Sequence, residues 1–335
     1  MVSTTKKRNL SIWKRISFGF RRLFLDGEFF KKISKSKKDL IFYLTLAIIP
    51  IAQFLVFYIF VNFNSILLAF QNYYYDDNGL LTITFAGFDN FVQAFKDIFC
   101  GTKTELITSW GNSMLCYGVG IIFGIPFSLI FSFYIYKNYF GSKFFKIFLF
   151  LPSILSSIAL IIMFTYFYEE AYPDITKLIF NLATKPNGLL YDVKTTLFSI
   201  LFYATFCGFG GSVIMYSSAM SGINSSLPEA AKIDGASAFQ EFINVTLPGI
   251  FPTLTTFLVV GVAGIFTNQA SLYAFFGSDA DIRVYTFGYY LFRGTLEVSS
   301  NYPYLSAFGI ILTAITVPLT YGVKYVLERF GPRKD

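Results

Sequence analysis

The 335-residue sequence has no histidine and few charged residues. Charged side chains make up 14% of it, against roughly 25% in an average soluble domain. The lack of histidine excludes a Ser-His-Asp triad, a Cys-His pair and a histidine-ligated metal. The three cysteines, Cys100, Cys116 and Cys207, are too widely spaced for a disulfide framework or a zinc motif. The sequence therefore predicts neither a metal site nor a catalytic group of these kinds.

Apolar residues are abundant instead, at 54% of the chain. Six stretches contain no Asp, Glu, Lys or Arg, and each exceeds the ~20 residues that a helix needs to cross a bilayer. Because the runs are continuous rather than alternating, they indicate helices and not barrel strands. The predicted fold class is an all-α polytopic membrane protein with six transmembrane helices. The spans are expected near residues 41–63, 111–135, 147–167, 197–219, 250–272 and 305–326.

Lysine and arginine are distributed unequally between the loops on the two sides of these spans. The side that holds both termini has 20 of them and the other side has 7. Since cytoplasmic loops are enriched in Lys and Arg, both termini are predicted to be cytoplasmic. The net charge of +7 then reflects membrane orientation, and no nucleic-acid partner is expected. The first apolar run is too long for a cleavable signal peptide and is expected to remain as an anchor.

The segment before the first span is strongly basic. An amphipathic helix is predicted at residues 10–33, lying on the anionic inner leaflet of the membrane, because apolar residues recur there at helical spacing among lysines and arginines. These apolar residues are Leu10, Trp13, Ile16, Phe20 and Phe24. The predicted domains are this basic segment at 1–39, a transmembrane domain at 40–330 and a cytoplasmic tail at 331–335.

A loop between the fourth and fifth spans, at 220–249, contains a segment that reads as two short helices and a turn. Ser226 and Glu229 have the spacing of a capping box, with Pro228 in the first helical turn. Gly235 can adopt a left-handed conformation and end the first helix. An ordinary amphipathic connector is the alternative interpretation.

The second helix of this segment has its own start signal. Ser237 and Gln240 have the spacing of another capping box. Phe239, Phe242 and Ile243 are expected to form one apolar stripe. Two consecutive capping boxes around a glycine favour a rigid element that presents a shaped surface over an ordinary connector.

Three groups of residues in this loop occur together: Glu229-Ala230-Ala231, Asp234-Gly235-Ala236, and Ile243 with Leu247-Pro248. They resemble the EAA loop of permease subunits in binding-protein-dependent ABC importers. Residues 38–330 are also similar to the carbohydrate-importer permeases, in particular the maltose type. The segments that carry this second similarity are Pro50, Ser65 to Phe70, Gly87-Phe88-Asp89-Asn90-Phe91, Trp110-Gly111-Asn112-Ser113, and Lys146 to Pro152.

The resemblance implies a type I ABC importer permease fold and a transport subunit rather than an enzyme. It implies that the loop docks in a cleft of a cytoplasmic ATPase, whose closure would switch the membrane cavity between inward-facing and outward-facing states. The residues implied in this coupling are Glu229, Ala230, Ala231, Asp234, Gly235 and Ala236. The implied partners are a second permease, two ATPases and an extracytoplasmic solute-binding protein, all at a bacterial cytoplasmic membrane.

No cofactor is expected in this chain, and ATP and Mg would be bound by the partner ATPases. The sequence contains no Gly-x-x-x-x-Gly-Lys-Ser/Thr motif for phosphate binding. Its glycine-rich stretch, Gly208 to Gly211, lies inside the fourth predicted span and is expected to permit close helix packing.

The predicted spans carry no charge near their centres, which favours a neutral solute and an external source of energy. The candidate substrate-facing residues combine amide and hydroxyl groups with an aromatic ring, as suits a sugar or oligosaccharide. They are Asn268, Gln269, Ser271 and Tyr273. The same residue types are ordinary at an outer membrane interface, so both interpretations stay open. A neutral non-sugar solute is an alternative, and a channel or ion-coupled transporter is a further one.

Overall fold

The computed structural model describes residues 37–76, 79–101, 103–192 and 194–332. The amphipathic helix predicted at residues 10–33 lies outside these ranges. The chain divides after Ser65 into two units.

The regular secondary structure of the described chain is helical apart from one pair of strands. The α-helices are α1 Lys37–Gln53, α2 Val61–Leu68, α3 Asp89–Phe99, α4 Thr104–Val119, α5 Ile125–Tyr136, α6 Ser142–Ile154, α7 Ser157–Tyr166, α8 Tyr172–Phe180, α9 Thr196–Ser221, α10 Ser226–Ile233, α11 Ala238–Glu241, α12 Leu247–Gly249, α13 Phe251–Ala263, α14 Leu272–Phe276, α15 Phe287–Glu297 and α16 Tyr302–Phe330. π-Helical turns continue the helix at Phe54–Phe60, Gly120–Gly124, Phe167–Ala171 and Phe242–Thr246. Short 3-10 turns lie at Ile282–Val284 and Ser299–Asn301.

Four helical runs in the described chain are long and apolar enough to cross a bilayer, and two bent helix pairs make up to six if each pair is one span. The four runs coincide with the first, second, fourth and sixth predicted spans. They are Phe42–Leu68, Thr104–Tyr136, Thr196–Ser221 and Ser299–Phe330. The first unit contributes α1, in which Pro50 lies inside the helix without ending it.

The third predicted span, 147–167, is wrong as one continuous helix. The helical axis turns by 102° between α6 and the run that starts at Ser157. Leu155 and Ser156 have ψ values of 151° and 131°, which interrupt the helical hydrogen-bond ladder. Three residues earlier, Pro152 has already removed one amide donor from that ladder.

The fifth predicted span, 250–272, is also wrong in its extent. Helix α13, which begins this span, ends at Ala263. The helical run Ala238–Gly249 joins α13 at a bend of 70°. Ala270 and Ser271 have φ values of 50° and 60°, and L-residues do not continue a right-handed helix in that conformation. The last third of the predicted span is therefore irregular.

The all-α prediction also misses an antiparallel hairpin in the second unit. Strand β1, Gln71–Tyr75, pairs with β2, Leu81–Phe85, so that Gln71 lies opposite Phe85. Asn90, from α3, holds the start of this hairpin. Its Nδ2 donates to the carbonyl oxygens of Ala69 at 3.0 Å and Gln71 at 2.7 Å.

Neutral polar side chains of α4 bind the backbone of the segment that leads into α15, within the second unit. Asn112 Nδ2 donates to the carbonyl oxygens of Arg283 at 2.8 Å and Tyr285 at 2.9 Å. One residue later, Ser113 Oγ accepts a hydrogen bond from the Phe287 amide at 3.1 Å. The Trp110 ring packs edge-on against Phe287, with 5.1 Å between ring centroids. These contacts fix where α15 begins.

Replacing Asn112 with alanine should lower the free energy of unfolding by about 2 kcal/mol, because two buried carbonyl oxygens lose their donor. The measurement is the thermal unfolding midpoint of the detergent-solubilised chain. Asn301→Ala is the matched control, since Asn301 is exposed and its side chain caps no helix. Equal midpoints for the two variants would contradict the assigned role of Asn112.

Candidate functional site

A cavity of about 450 Å³ lies between three helical runs of the second unit: α4 with α5, α9, and α13 with the residues that follow it. No charged residue is among those that line it in the described chain. The hydroxyl and amide side chains in the lining are Ser113, Ser128, Thr205, Ser212, Thr267 and Asn268, and the aromatic ones are Tyr117, Phe209, Tyr216 and Phe257. The wall can therefore offer hydrogen bonds and ring faces to a neutral molecule.

Two glycines of α9 have different roles at this cavity: one leaves space in it, and the other lets two helices pack closely behind it. A Cβ atom at Gly208 would meet no heavy atom within 4 Å, and Gly208 lines the cavity. A Cβ at Gly210 would lie 2.1 Å from the carbonyl oxygen of Leu149 in α6. The predicted packing role of this glycine-rich stretch is thus confirmed at Gly210, whereas Gly208 shapes the cavity.

Asn268 is held at the cavity by backbone contacts. Its Oδ1 accepts from the Ala270 amide at 2.8 Å, and its carbonyl oxygen accepts from Thr286 Oγ1 at 2.9 Å. The start of α15 comes so close that a Cβ on Gly288 would lie 2.5 Å from the Thr267 carbonyl oxygen. Asn268 Nδ2 donates to no atom of the described chain, so it can donate to a ligand.

Of the four residues proposed as substrate-facing, Asn268 is the one that lines the cavity. Gln269, Ser271 and Tyr273 are not among its lining residues, and the Tyr273 ring instead packs edge-on against Phe292 at 5.0 Å. A substrate role for these three residues stays a prediction.

The sequence interpretation did not single out the helical stripes that form most of the wall. On the second span, the lining residues recur every three or four positions: Ser113, Tyr117, Gly120, Gly124 and Ser128. On α9, the same spacing links Leu201, Thr205, Gly208, Ser212 and Tyr216. Small and hydroxyl-bearing residues at helical spacing are therefore the signal that could have located the cavity.

The arginines in the segment after the cavity are paired with carboxylates. Arg283 Nε donates to Asp281 Oδ1 at 2.8 Å, and this side-chain hydrogen bond lowers the pKa of Asp281 to about 2. Arg293 Nε donates to Glu297 Oε1 at 2.6 Å. Neither arginine lines the cavity, so the described chain gives an anionic solute no cationic partner there.

The loop at 220–249 differs at its start from the predicted capping box. Ser226 is the first residue of α10, and its amide donates to Asn224 Oδ1 at 3.1 Å. The Glu229 amide donates to the Ser225 carbonyl oxygen at 3.2 Å. The Ser226–Glu229 capping box is therefore wrong, because both of its amides have other acceptors, and the Glu229 side chain is exposed.

The turn and the second cap are confirmed. Gly235 has a φ of 78°, and its amide donates to the Lys232 carbonyl oxygen at 3.2 Å. The Ala236 amide donates to the Ala231 carbonyl oxygen at 2.9 Å, which completes a Schellman motif. Ser237 and Gln240 form the reciprocal capping box, with bonds of 3.3 Å and 2.8 Å. Both ends of the turn are thus closed by local hydrogen bonds.

The loop exposes an apolar surface. Phe239, Phe242 and Ile243 are predicted to form one apolar stripe, and Phe239 is 72% exposed. Ile233 is 85% exposed, beside the exposed residues Asp234 and Gly235. From the stripe, Phe242 is the residue that packs inward, with its ring centroid 5.0 Å from that of Phe133.

A buried ion pair ties this loop to the helices of the cavity. Lys137 is the residue directly after α5. Its Nζ donates to Glu241 Oε2 at 2.6 Å, and Glu241 is 5% exposed. Lys137 Nζ also lies 5.7 Å from the centre of the Phe133 ring. Phe242 and Leu247 pack against a cluster that includes Phe133 and Tyr216, from α5 and α9. The loop is therefore attached to the same two helices that line the cavity.

Several apolar helices, an uncharged cavity between them and a capped, exposed loop define the permease class of membrane protein. The chain belongs to the family of binding-protein-dependent transport system inner membrane components, whose model matches residues 97–335.

Relatives support the same class. The chain is 28% identical over 182 residues to a probable ABC transporter permease protein of Mycoplasma genitalium, a match that covers 52% of this chain and 54% of the relative. It is 22% identical over 272 residues to the multiple sugar-binding transport system permease protein MsmF of Streptococcus mutans, covering 81% and 90%.

A solved structure has the same fold. It is a crystal structure of a bacterial ABC transporter involved in the import of the acidic polysaccharide alginate. The TM-score is 0.69 at 20% identity, and the match covers 90% of this chain and 99% of that chain. The predicted family is confirmed by the family model, and the predicted resemblance to carbohydrate-importer permeases is confirmed by the name of the Streptococcus mutans relative.

Lys137→Ala should loosen the loop, because the buried Glu241 carboxylate loses its counter-ion at a cost of about 3 kcal/mol. Faster tryptic cleavage after Lys232 in the purified chain is the expected result. Lys324→Ala is the control, since Lys324 is exposed and pairs with Glu328 away from the loop. The double variant Lys137→Glu with Glu241→Lys should restore slow cleavage. If Lys137→Ala were cleaved at the wild-type rate, the ion pair would not hold the loop in place.

Proposed function

We propose that this chain is the transmembrane subunit of an ATP-driven importer and forms half of the pathway for a neutral sugar or oligosaccharide. The observation that carries the proposal is the uncharged cavity lined by hydroxyl, amide and aromatic groups. Its volume of about 450 Å³ is within the usual range for small-molecule sites. The name of the Streptococcus mutans relative, a sugar-binding transport permease, supports the same solute class.

Sugar recognition needs hydrogen bonds to hydroxyl groups and apolar contact with the ring faces. Asn268 Nδ2 is an available donor, and the hydroxyl groups of Thr205 and Ser212 lie in the same wall. The rings of Tyr117 and Phe209 supply flat apolar surfaces. A charged solute would leave its charge unpaired in this wall, at a large cost in free energy.

Energy would reach the cavity through the 220–249 loop. The exposed residues Glu229, Ala230, Asp234 and Gly235, together with Ala231 and Ala236, would dock on the cytoplasmic ATPase. ATP and Mg would be bound and hydrolysed by two such ATPase partners. The Lys137–Glu241 pair then provides a direct mechanical link from the docked loop to the cavity helices.

The proposed assembly contains a second permease, in a heterodimer, and an extracytoplasmic binding protein that delivers the solute. In the proposed topology the chain has six spans, both termini are cytoplasmic and residues 10–33 lie on the inner leaflet. The domain limits 1–39, 40–330 and 331–335 belong to the same proposal.

Gly235→Val tests the coupling loop. A β-branched residue at a φ of 78° is strained by about 1–2 kcal/mol and should misplace the turn. We expect solute uptake and binding-protein-stimulated ATP hydrolysis, in liposomes that contain the full transporter, to fall by about tenfold, as a loss of this size implies. Gly79→Val is the control, since Gly79 has a φ of 74° outside the loop and, like Gly235, has no heavy atom within 4 Å of an added Cβ. Unchanged uptake and unchanged stimulation in Gly235→Val would reject the coupling role.

Gly208→Phe tests the pathway separately. The added ring should occupy the cavity and abolish uptake, because nothing else lies within 4 Å of that position. Gly322→Phe is the control, since Gly322 has equally open surroundings on α16 and does not line the cavity. The measurement is accumulation of a labelled sugar that the cognate binding protein captures. Normal accumulation in Gly208→Phe would exclude this cavity as the route, and flux without the ATPase would indicate a channel.

A further inference from the structure

A second pocket, of about 330 Å³, lies where the end of α5, the start of α6 and the end of α9 meet. It is separate from the 450 Å³ cavity described above, because the two share no lining residue. Its polar lining includes Asn138, Ser142, Lys143, Lys146 and Ser217. Within the described chain no carboxylate lines the pocket, so its charge is purely positive.

The two lysines of this pocket lie three residues apart on α6. Both are exposed, and neither forms an ion pair with a described residue. Two cations this close repel each other, and an anion between them would relieve that repulsion.

The start of α6 strengthens the preference for an anion. Gly141 precedes the helix with a φ of 75° and has no side chain that could cap the first-turn amides. Helix N-termini without such a cap bind phosphate through their amides, with help from the helix dipole. The serine hydroxyl groups in the pocket are further donors for phosphate oxygens. The chemistry that fits is a phosphate group.

The apolar side of α6 indicates where this phosphate comes from. Phe144, Ile147, Phe148 and Leu151 are all exposed, and they recur at helical spacing from the lysine end of the helix toward its middle. Such a surface suits acyl chains, whereas a soluble phosphate would leave it without a partner. A basic pocket at a helix end beside an apolar strip is the arrangement that holds an anionic lipid headgroup.

We propose that the pocket at Lys143 and Lys146 binds the phosphate of an anionic phospholipid, with the acyl chains lying along α6. The site stands independently of the solute that the importer carries.

The experiment uses the purified, delipidated full chain with equal amounts of phosphatidylglycerol and phosphatidylcholine, and counts the retained lipids by native mass spectrometry. Phosphatidylglycerol should be retained in preference. Lys143→Gln and Lys146→Gln should each weaken its retention about fivefold, the factor expected per lysine at an anionic lipid surface. Lys143→Arg keeps the positive charge and should retain phosphatidylglycerol as the wild type does. Lys324→Gln is the control for the loss of one exposed lysine on another helix, and it should bind as the wild type does.

Equal retention of the two lipids by the wild-type chain, or an equal loss in Lys324→Gln, would overturn the site. A separate arm adds soluble glycerol phosphate. If it binds alone with the same dependence on Lys143 and Lys146 and displaces the lipid, the lipid assignment is overturned in favour of a soluble phosphate. Thermal unfolding midpoints within error of the wild type show that the glutamine variants are folded.

Discussion

A bilayer interior cannot solvate charge, and this constraint determines how the second unit is held together. Several of its internal polar contacts use neutral side chains that donate to backbone carbonyl oxygens. Asn90 and Asn112 each bridge two such oxygens, and Ser132 Oγ donates to the Val213 carbonyl oxygen at 3.0 Å across two helices. None of the ion pairs in the described chain involves a residue that lines the cavity, so the cavity wall stays uncharged.

The cavity and the 220–249 loop are parts of one mechanical unit. The helices α5 and α9 line the cavity, and near their ends the same helices contact the loop through Lys137, Phe133 and Tyr216. The loop is stiff because its turn is closed by a Schellman motif on one side and a capping box on the other. A displacement of the loop would therefore move the cavity wall instead of being absorbed in the connection.

The sequence predicts the helices better than it predicts their interruptions. Charge-free runs identify the spans because hydrocarbon excludes charge everywhere along them. The break at Leu155 and Ser156 follows Pro152 by three residues, but Pro50 lies inside α1 without ending it, so a proline alone does not predict the break. The capping box at Ser226 fails because Asn224 accepts the Ser226 amide and the Ser225 carbonyl oxygen accepts the Glu229 amide. Asn268 is identified by its chemistry, whereas the stripes from Ser113 to Ser128 and from Leu201 to Tyr216 need tertiary structure to show which side faces inward.

Five of the residues that line the cavity are glycines, which add no side chain to its wall. Gly120, Gly124 and Gly208 line it, and a methyl group on any of them would meet no other heavy atom within 4 Å. Single glycine-to-alanine changes can therefore narrow the space in small steps without disturbing the packing behind it, which Gly210 secures separately. The size of the cavity is thus open to gradual evolutionary adjustment, while the helices and the loop attached to its wall stay unchanged.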